Sequence, residues 1–146
     1  MYSSIEDFLS SIQAWDVFLF HWKIETEQKH YQVILNKFIN ADSKLIFASI
    51  ATSQVEKRKE FISRKGLHPD TLVIVKSGEV SFLNLDTCFD CNQPTDYEQF
   101  ELYGYHLDKH LNFQWRLSEE ILQKIYCWIE LSDMVSERNK RMIRGE

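Results

Sequence analysis

Cys88-Phe89-Asp90-Cys91 and, after fourteen intervening residues, His106 and His110 are the side chains best suited to chemistry by type and spacing. The pattern is C-x-x-C followed by H-x-x-x-H. A tight turn presents two thiolates, and two imidazoles four residues apart share one face of a helix; together they can close a tetrahedral zinc site. Four protein ligands leave no position for a catalytic water, so a zinc held by Cys88, Cys91, His106 and His110 would be structural. Tyr97 and Tyr103 stand where a small zinc finger places its apolar residues. Two other readings stand beside this one. The cysteines can be ordinary loop thiols with the histidines exposed on a helix, or Cys88 and Cys91 can form a redox pair. The redox reading lacks a helix N-terminus in an electropositive pocket to stabilise a thiolate. His21 beside Trp22 reads as a packing residue, His30 and His68 as surface or turn residues, and Cys127 as a buried, inert thiol. Asp96, Glu98 and Glu101 read as a solvated first helical turn rather than an acid–base pair.

The elements that position these residues are organised around residues 71–85, TLVIVKSGEVSFLNL, whose two β-rich apolar runs flank a Lys-Ser-Gly-Glu turn. A two-residue turn at Ser77-Gly78 groups Val73, Val75, Val80 and Phe82 on one face. A three-residue turn with Gly78 left-handed groups Leu72, Ile74, Val80 and Phe82 instead. Either hairpin is apolar on both faces, which predicts a sheet with helices packed on both sides.

Those helices and their strands follow from the hydrophobic pattern. Ser3 and Ser4, with Glu6 and Asp7 behind them, cap a short helix whose stripe is Ile5, Phe8, Leu9 and Ile12. Residues 16–24 alternate as a strand. Tyr31, Ile34, Leu35, Phe38 and Ile39 keep helical spacing and predict a helix from Gln28 to about Asn40. Residues 44–50 are a second strand. Ser53 and Glu56 form a capping box for a helix that stops at Lys65-Gly66. Strand, helix, strand is normally a parallel, right-handed β-α-β unit, and the hairpin adds an antiparallel edge. After a polar loop at 86–94, Thr95 and Glu98 cap a helix running to about Leu111. Residues 118–144 read as one long terminal helix with Ile121, Leu122, Ile125, Trp128, Ile129 and Val135 inward and a basic end.

In this order the chain resembles the DCC group of thiol-disulfide oxidoreductase-like proteins. The likeness rests on DVFLFH, KLIFASIATSQ and KGLHPDTLVIVKSGEV, and on Tyr126 and the Asn139, Arg141 and Gly145 region near the end. The resemblance implies an α/β, thioredoxin-like three-layer fold with a central four-stranded mixed sheet, flanking helices and a long C-terminal helix. It implies one domain over 1–146, with its core at about 16–85 and a helical extension at about 95–144. The family's D-x-x-C-x-x-C motif is missing: His21, Ile24 and Glu27 stand at its three positions. Pro69 lies one residue too early for the proline that faces the thiols in a redox-active thioredoxin site. The resemblance therefore implies the scaffold without catalysis there.

A formal charge of −5 and a pI near 5.5 argue against a broad nucleic-acid footprint, which needs a basic face. The start, MYSSIEDFLSS, lacks the basic stretch and apolar core of a secretory signal, and no apolar run reaches membrane-spanning length. Three cysteines, an odd count, fit a reducing compartment, so the expectation is a cytoplasmic protein. The expected function is a redox-inactive, protein-binding domain. The alternatives are an oxidoreductase using Cys88 and Cys91, and a zinc-stabilised binding module.

Overall fold

The computed structural model describes residues 4–21, 29–79 and 83–146. Helix α1 (Ile5–Ser11) opens the chain, and strand β1 (Asp16–His21) follows. Ser4 caps α1 as expected, its hydroxyl accepting from the Asp7 N–H at 3.2 Å, and Phe8 and Leu9 are buried. Next come strands β2 (Lys29–Ile34) and β3 (Leu45–Thr52), then helix α2 (Val55–Arg64). A 3-10 turn (Pro69–Thr71) leads into strand β4 (Leu72–Val75), which is followed by β5 (Thr87–Asp90) and β6 (Thr95–Glu98). Helix α3 (Gln99–Leu107), strand β7 (Asn112–Arg116) and helices α4 (Glu119–Leu131) and α5 (Glu137–Arg144) complete it.

The described residues form a mixed α/β structure with a seven-stranded sheet in the order β4-β5-β3-β2-β1-β7, with β6 also paired to β3. Every pairing is antiparallel. This corrects the expected four-stranded mixed sheet with a parallel β-α-β unit. The cause is local: the predicted helix at 28–40 is strand β2 over its described first part. Val33 and Leu35 bury on one face of the sheet, while Gln32 and Ile34 bury on the other. A strand covered on both sides has no apolar–polar alternation, so its residues also match helical spacing by chance.

Alternation sorts the core into two layers. Val17, Val33, Phe47, Ala51, Val73, Val75 and Phe89 pack under α4 and α5. Phe18, Ile34, Ile46, Ala48 and Tyr97 face α1 and α3, and on that same side Leu72 and Cys88 meet Val55 and Ile62 of α2.

Several boundaries differ from expectation. Strand β4 is present, and its partner among the described residues is β5, inside what reads as a polar loop. Val80 and Phe82, on which both hairpin registers depend, lie outside the described residues, as do Trp22, Ile24, Glu27 and Gln28. The predicted helix at 95–111 begins as β6, and Glu98 rather than Thr95 caps α3 through a reciprocal box with Glu101. Gln54, not Ser53, is the N-cap of α2. The long terminal helix is two helices: α4 stops at Ser132, and Ser136 caps α5 by accepting from the Asn139 N–H at 3.1 Å. Both serines compete for backbone groups, which favours a stop and a new start over continuation.

Candidate functional site

Strand β4 stands at one end of the sheet, with β5 on one side. The Cys91 N–H donates to the Thr71 carbonyl at 2.9 Å, which fixes 71/91 as a hydrogen-bonded pair. Such pairs alternate along an antiparallel ladder, so Val73 and Val75 exchange bonds with β5 while Leu72 and Ile74 turn their backbone groups outward. The Leu72 N–H is taken by the Pro69 carbonyl. The Leu72 carbonyl and the Ile74 N–H and carbonyl have no backbone partner among the described residues. Unpaired edge groups of this kind are a template for another strand.

The edge is the floor of a groove of about 750 Å³ with two walls. Lys59, Ile62 and Ser63 of α2 form one wall, and Lys124 and Trp128 of α4 form the other. Gly66, Leu67, Pro69 and Asp70 line the rest. Gly66 sits at φ +68, the left-handed conformation that ends α2 and turns Leu67 back so that its N–H reaches the Ile62 carbonyl. The His68 ring stacks on Trp128 with centroids 4.8 Å apart, and its Nδ1 accepts from the Asp70 N–H at 3.1 Å. Lys59 makes one exposed ion pair, 3.3 Å from Glu56, while Lys124 makes none among the described residues.

A buried polar cluster fixes the distance between the walls. The chain leaves the β3 ladder between β5 and β6, and this excursion carries Asn92 inward. Its amide nitrogen donates to Thr71 Oγ1 at 2.7 Å and Asp90 Oδ1 at 3.1 Å, and its carbonyl accepts from Ser132 Oγ at 2.6 Å. Arg58 of α2 pairs with Asp90 and lies over the Phe61 ring. Thus α2 is tied to β5 through Asp90, and the end of α4 is tied through Ser132 to the start of β4. Thr71, Asp90, Asn92 and Ser132 are all buried, and the network satisfies their polar groups away from water.

The residues singled out by the sequence are distributed differently. Cys88 lies in β5 among Val55, Ile62 and Leu72, whereas Cys91 lies beside Phe89 in the layer under α4. Cys91 stands in the turn just past the end of β5, so the two thiols enter different layers. Burial pushes the Cys88 thiol up to about 11 and raises Cys91 further. His106 stacks on Phe8 at 4.7 Å in the α1–α3 layer, where burial lowers its pKa, and His110 is exposed beyond the end of α3. Among the described residues no three His, Cys, Asp or Glu side chains gather as a metal would require. Cys127 is exposed, not buried as expected. Tyr126 is buried and donates to the Leu35 carbonyl at 2.6 Å, and Gly145 adopts φ +85 flush against Phe38. Asp96 and Glu98 belong to β6 rather than a helical turn.

No family model matches this chain, and no curated protein matches it. Among the described residues no helix is long and apolar enough to cross a membrane.

Sequence reasoning missed Asp90, Asn92, Arg58 and Ser132. The available signal was Asp-x-Asn before Gln-Pro, a combination that favours turns closed by its own side chains.

Proposed function

We propose that this chain is a non-catalytic protein-binding module that accepts an extended segment of a partner protein as an added strand on β4. The observation that carries this reading is the outer side of β4, unpaired among the described residues, on the floor of an apolar, two-walled groove. Main-chain hydrogen bonds to Leu72 and Ile74 would supply affinity, and the walls would select side chains. From the DCC resemblance we retain only the protein-facing role. Its thioredoxin-like sheet has no part in the proposal, which rests on the antiparallel order. A dithiol at Cys88 and Cys91 has little to support it, with the thiols on opposite faces and both held protonated by burial.

Selection of a random nonapeptide display library on the intact chain, followed by titration of the enriched peptides against isotope-labelled protein, tests the proposal. The peptides are expected to shift the amides of 72–76 and slow exchange at Ile74. Ile74→Pro removes an outward N–H without touching the β5 ladder, so it is expected to keep the fold and weaken binding at least tenfold. A footprint away from β4, or a library that yields no binder, would overturn the proposal.

A further inference from the structure

We infer that the strand accepted at β4 is acidic and aliphatic, with two carboxylates an odd number of positions apart, one for Lys59 and one for Lys124. This rests on the strand-addition reading and names the chemistry of its occupant.

The groove is apolar along Ile62, Leu67, Leu72, Val73 and Trp128, and each wall carries one lysine. Among the described residues its one lining carboxylate, Asp70, sits in the loop beside His68 rather than on either helical wall. Helix α2 carries Lys57, Lys59 and Arg64 against Glu56 and Glu60, with Arg58 already paired to Asp90, so it stays slightly basic on a chain whose net charge is −5. The Lys59–Glu56 pair is exposed on both sides, so a ligand carboxylate displaces little by competing with it.

Side chains on an added strand alternate between the walls, and residues directly opposite each other share a face. Leu72 and Ile74 face α2, whereas Val73 faces α4. A ligand residue opposite Ile74 therefore projects toward the wall with Lys59 and Ile62. Its neighbour, opposite Val73, projects toward Lys124 and Trp128. Two carboxylates serving both walls must differ in parity, and aliphatic side chains fill the remaining positions. A second copy of this chain fits less well. Pairing β4 with itself about a two-fold axis would set the lysine-bearing walls of both copies against each other, a like-charge arrangement that blocks edge pairing.

Three fluorescein-labelled octapeptides of equal valine, isoleucine and threonine content provide the test by anisotropy at low salt. One carries glutamates three apart, one carries lysines at those positions, and one carries glutamates two apart. The first is expected to bind about tenfold tighter than the lysine peptide and about threefold tighter than the even-spaced one, as two partly exposed pairs allow. A Lys59→Glu, Lys124→Glu double variant changes only exposed side chains and is expected to reverse the preference between glutamate and lysine peptides while its circular dichroism stays unchanged. Equal binding of the glutamate and lysine peptides would overturn the acidic assignment and leave strand addition standing. Equal binding of the two glutamate spacings would overturn the parity rule. Failure of the intact chain to bind any of the three would overturn strand addition at β4 and this inference with it. Dimers of the free chain that Ile74→Pro abolishes would assign the edge to a second copy instead.

Discussion

At one end of the sheet β7 meets β1 through a ladder whose register shifts between Val17 and Phe18, while at the other β4 meets β5 through four consecutive pairs without a break. Polar Asn112, Gln114 and Arg116 alternate along β7, and Arg116 reaches across to Asp16 at 3.1 Å. Phe113 is half exposed and touches Phe18 edge-on. A bulge and charged side chains are the usual means of blunting an edge. Strand β4, Leu-Val-Ile-Val, carries neither on itself; its lysines stand on the flanking helices. An edge closed by its own residues repels any added strand, whereas one guarded from the walls admits a strand and chooses among them.

The comparison can be broken first at Asn92. Asn92→Ala removes one buried hydrogen bond each from Thr71, Asp90 and Ser132, which keep the His68 carbonyl, the backbone N–H of residue 92 and the Met134 N–H, and the expected loss is about 2–3 kcal/mol in urea unfolding. Amide exchange in β4 should accelerate more than in β7; equal acceleration would mean that the cluster does not hold the β4 edge in particular. Arg116→Ala is the opposite test. Asp16 is buried and keeps the Gln13 N–H at 3.0 Å as a second partner, so the expected loss is about 1–2 kcal/mol, with exchange raised in β7 and unchanged in β4.

A pH titration sharpens the β4 side further. Cys88 holds its proton to about pH 11 in the folded chain and releases it near the ordinary thiol value when unfolded. The folded state then binds more protons between about 9 and 11, so stability is full below 9 and falls as pH rises through that window. Cys88→Ala is expected to reduce this slope and leave the share of Cys91, which burial raises further, and an unchanged slope would show that the Cys88 thiol is not held in a dry site. The smallest effect is expected at Ser49 in the central strand β3, whose buried hydroxyl lacks a partner among the described residues. Ser49→Ala should change stability by no more than about 1 kcal/mol, in the stabilising direction, and should leave both edges as they are.

Much of the local structure was legible in the sequence. The stripe and serine cap of α1, the strands β1 and β3, the stop of α2 at Gly66 and the inward face of α4 all follow from patterns within a few residues. What misled was burial on two sides, which gave β2 a helical period, and serines at 132 and 136, which ended a helix whose apolar stripe runs on to Val135. Strand β4 was recognisable as apolar on both faces, but its place at the edge depends on pairing with β5, and that partner looked like a loop. Cys88 and Cys91 carried zinc-finger spacing, yet the meaning of C-x-x-C depends on whether the segment turns or stays extended. Here Cys88 is in β5 and Cys91 is in the turn just past its end, and the two thiols pack in different layers.

The wall built from α4 also has a consequence in time. Synthesis delivers β4 and its α2 wall well before Lys124 and Trp128 emerge, and the bond from Asn92 to Ser132 forms only once α4 is complete. A nascent chain therefore presents a sticky strand with only the first of its two selecting walls in place, and chaperone capture should be greatest in that interval.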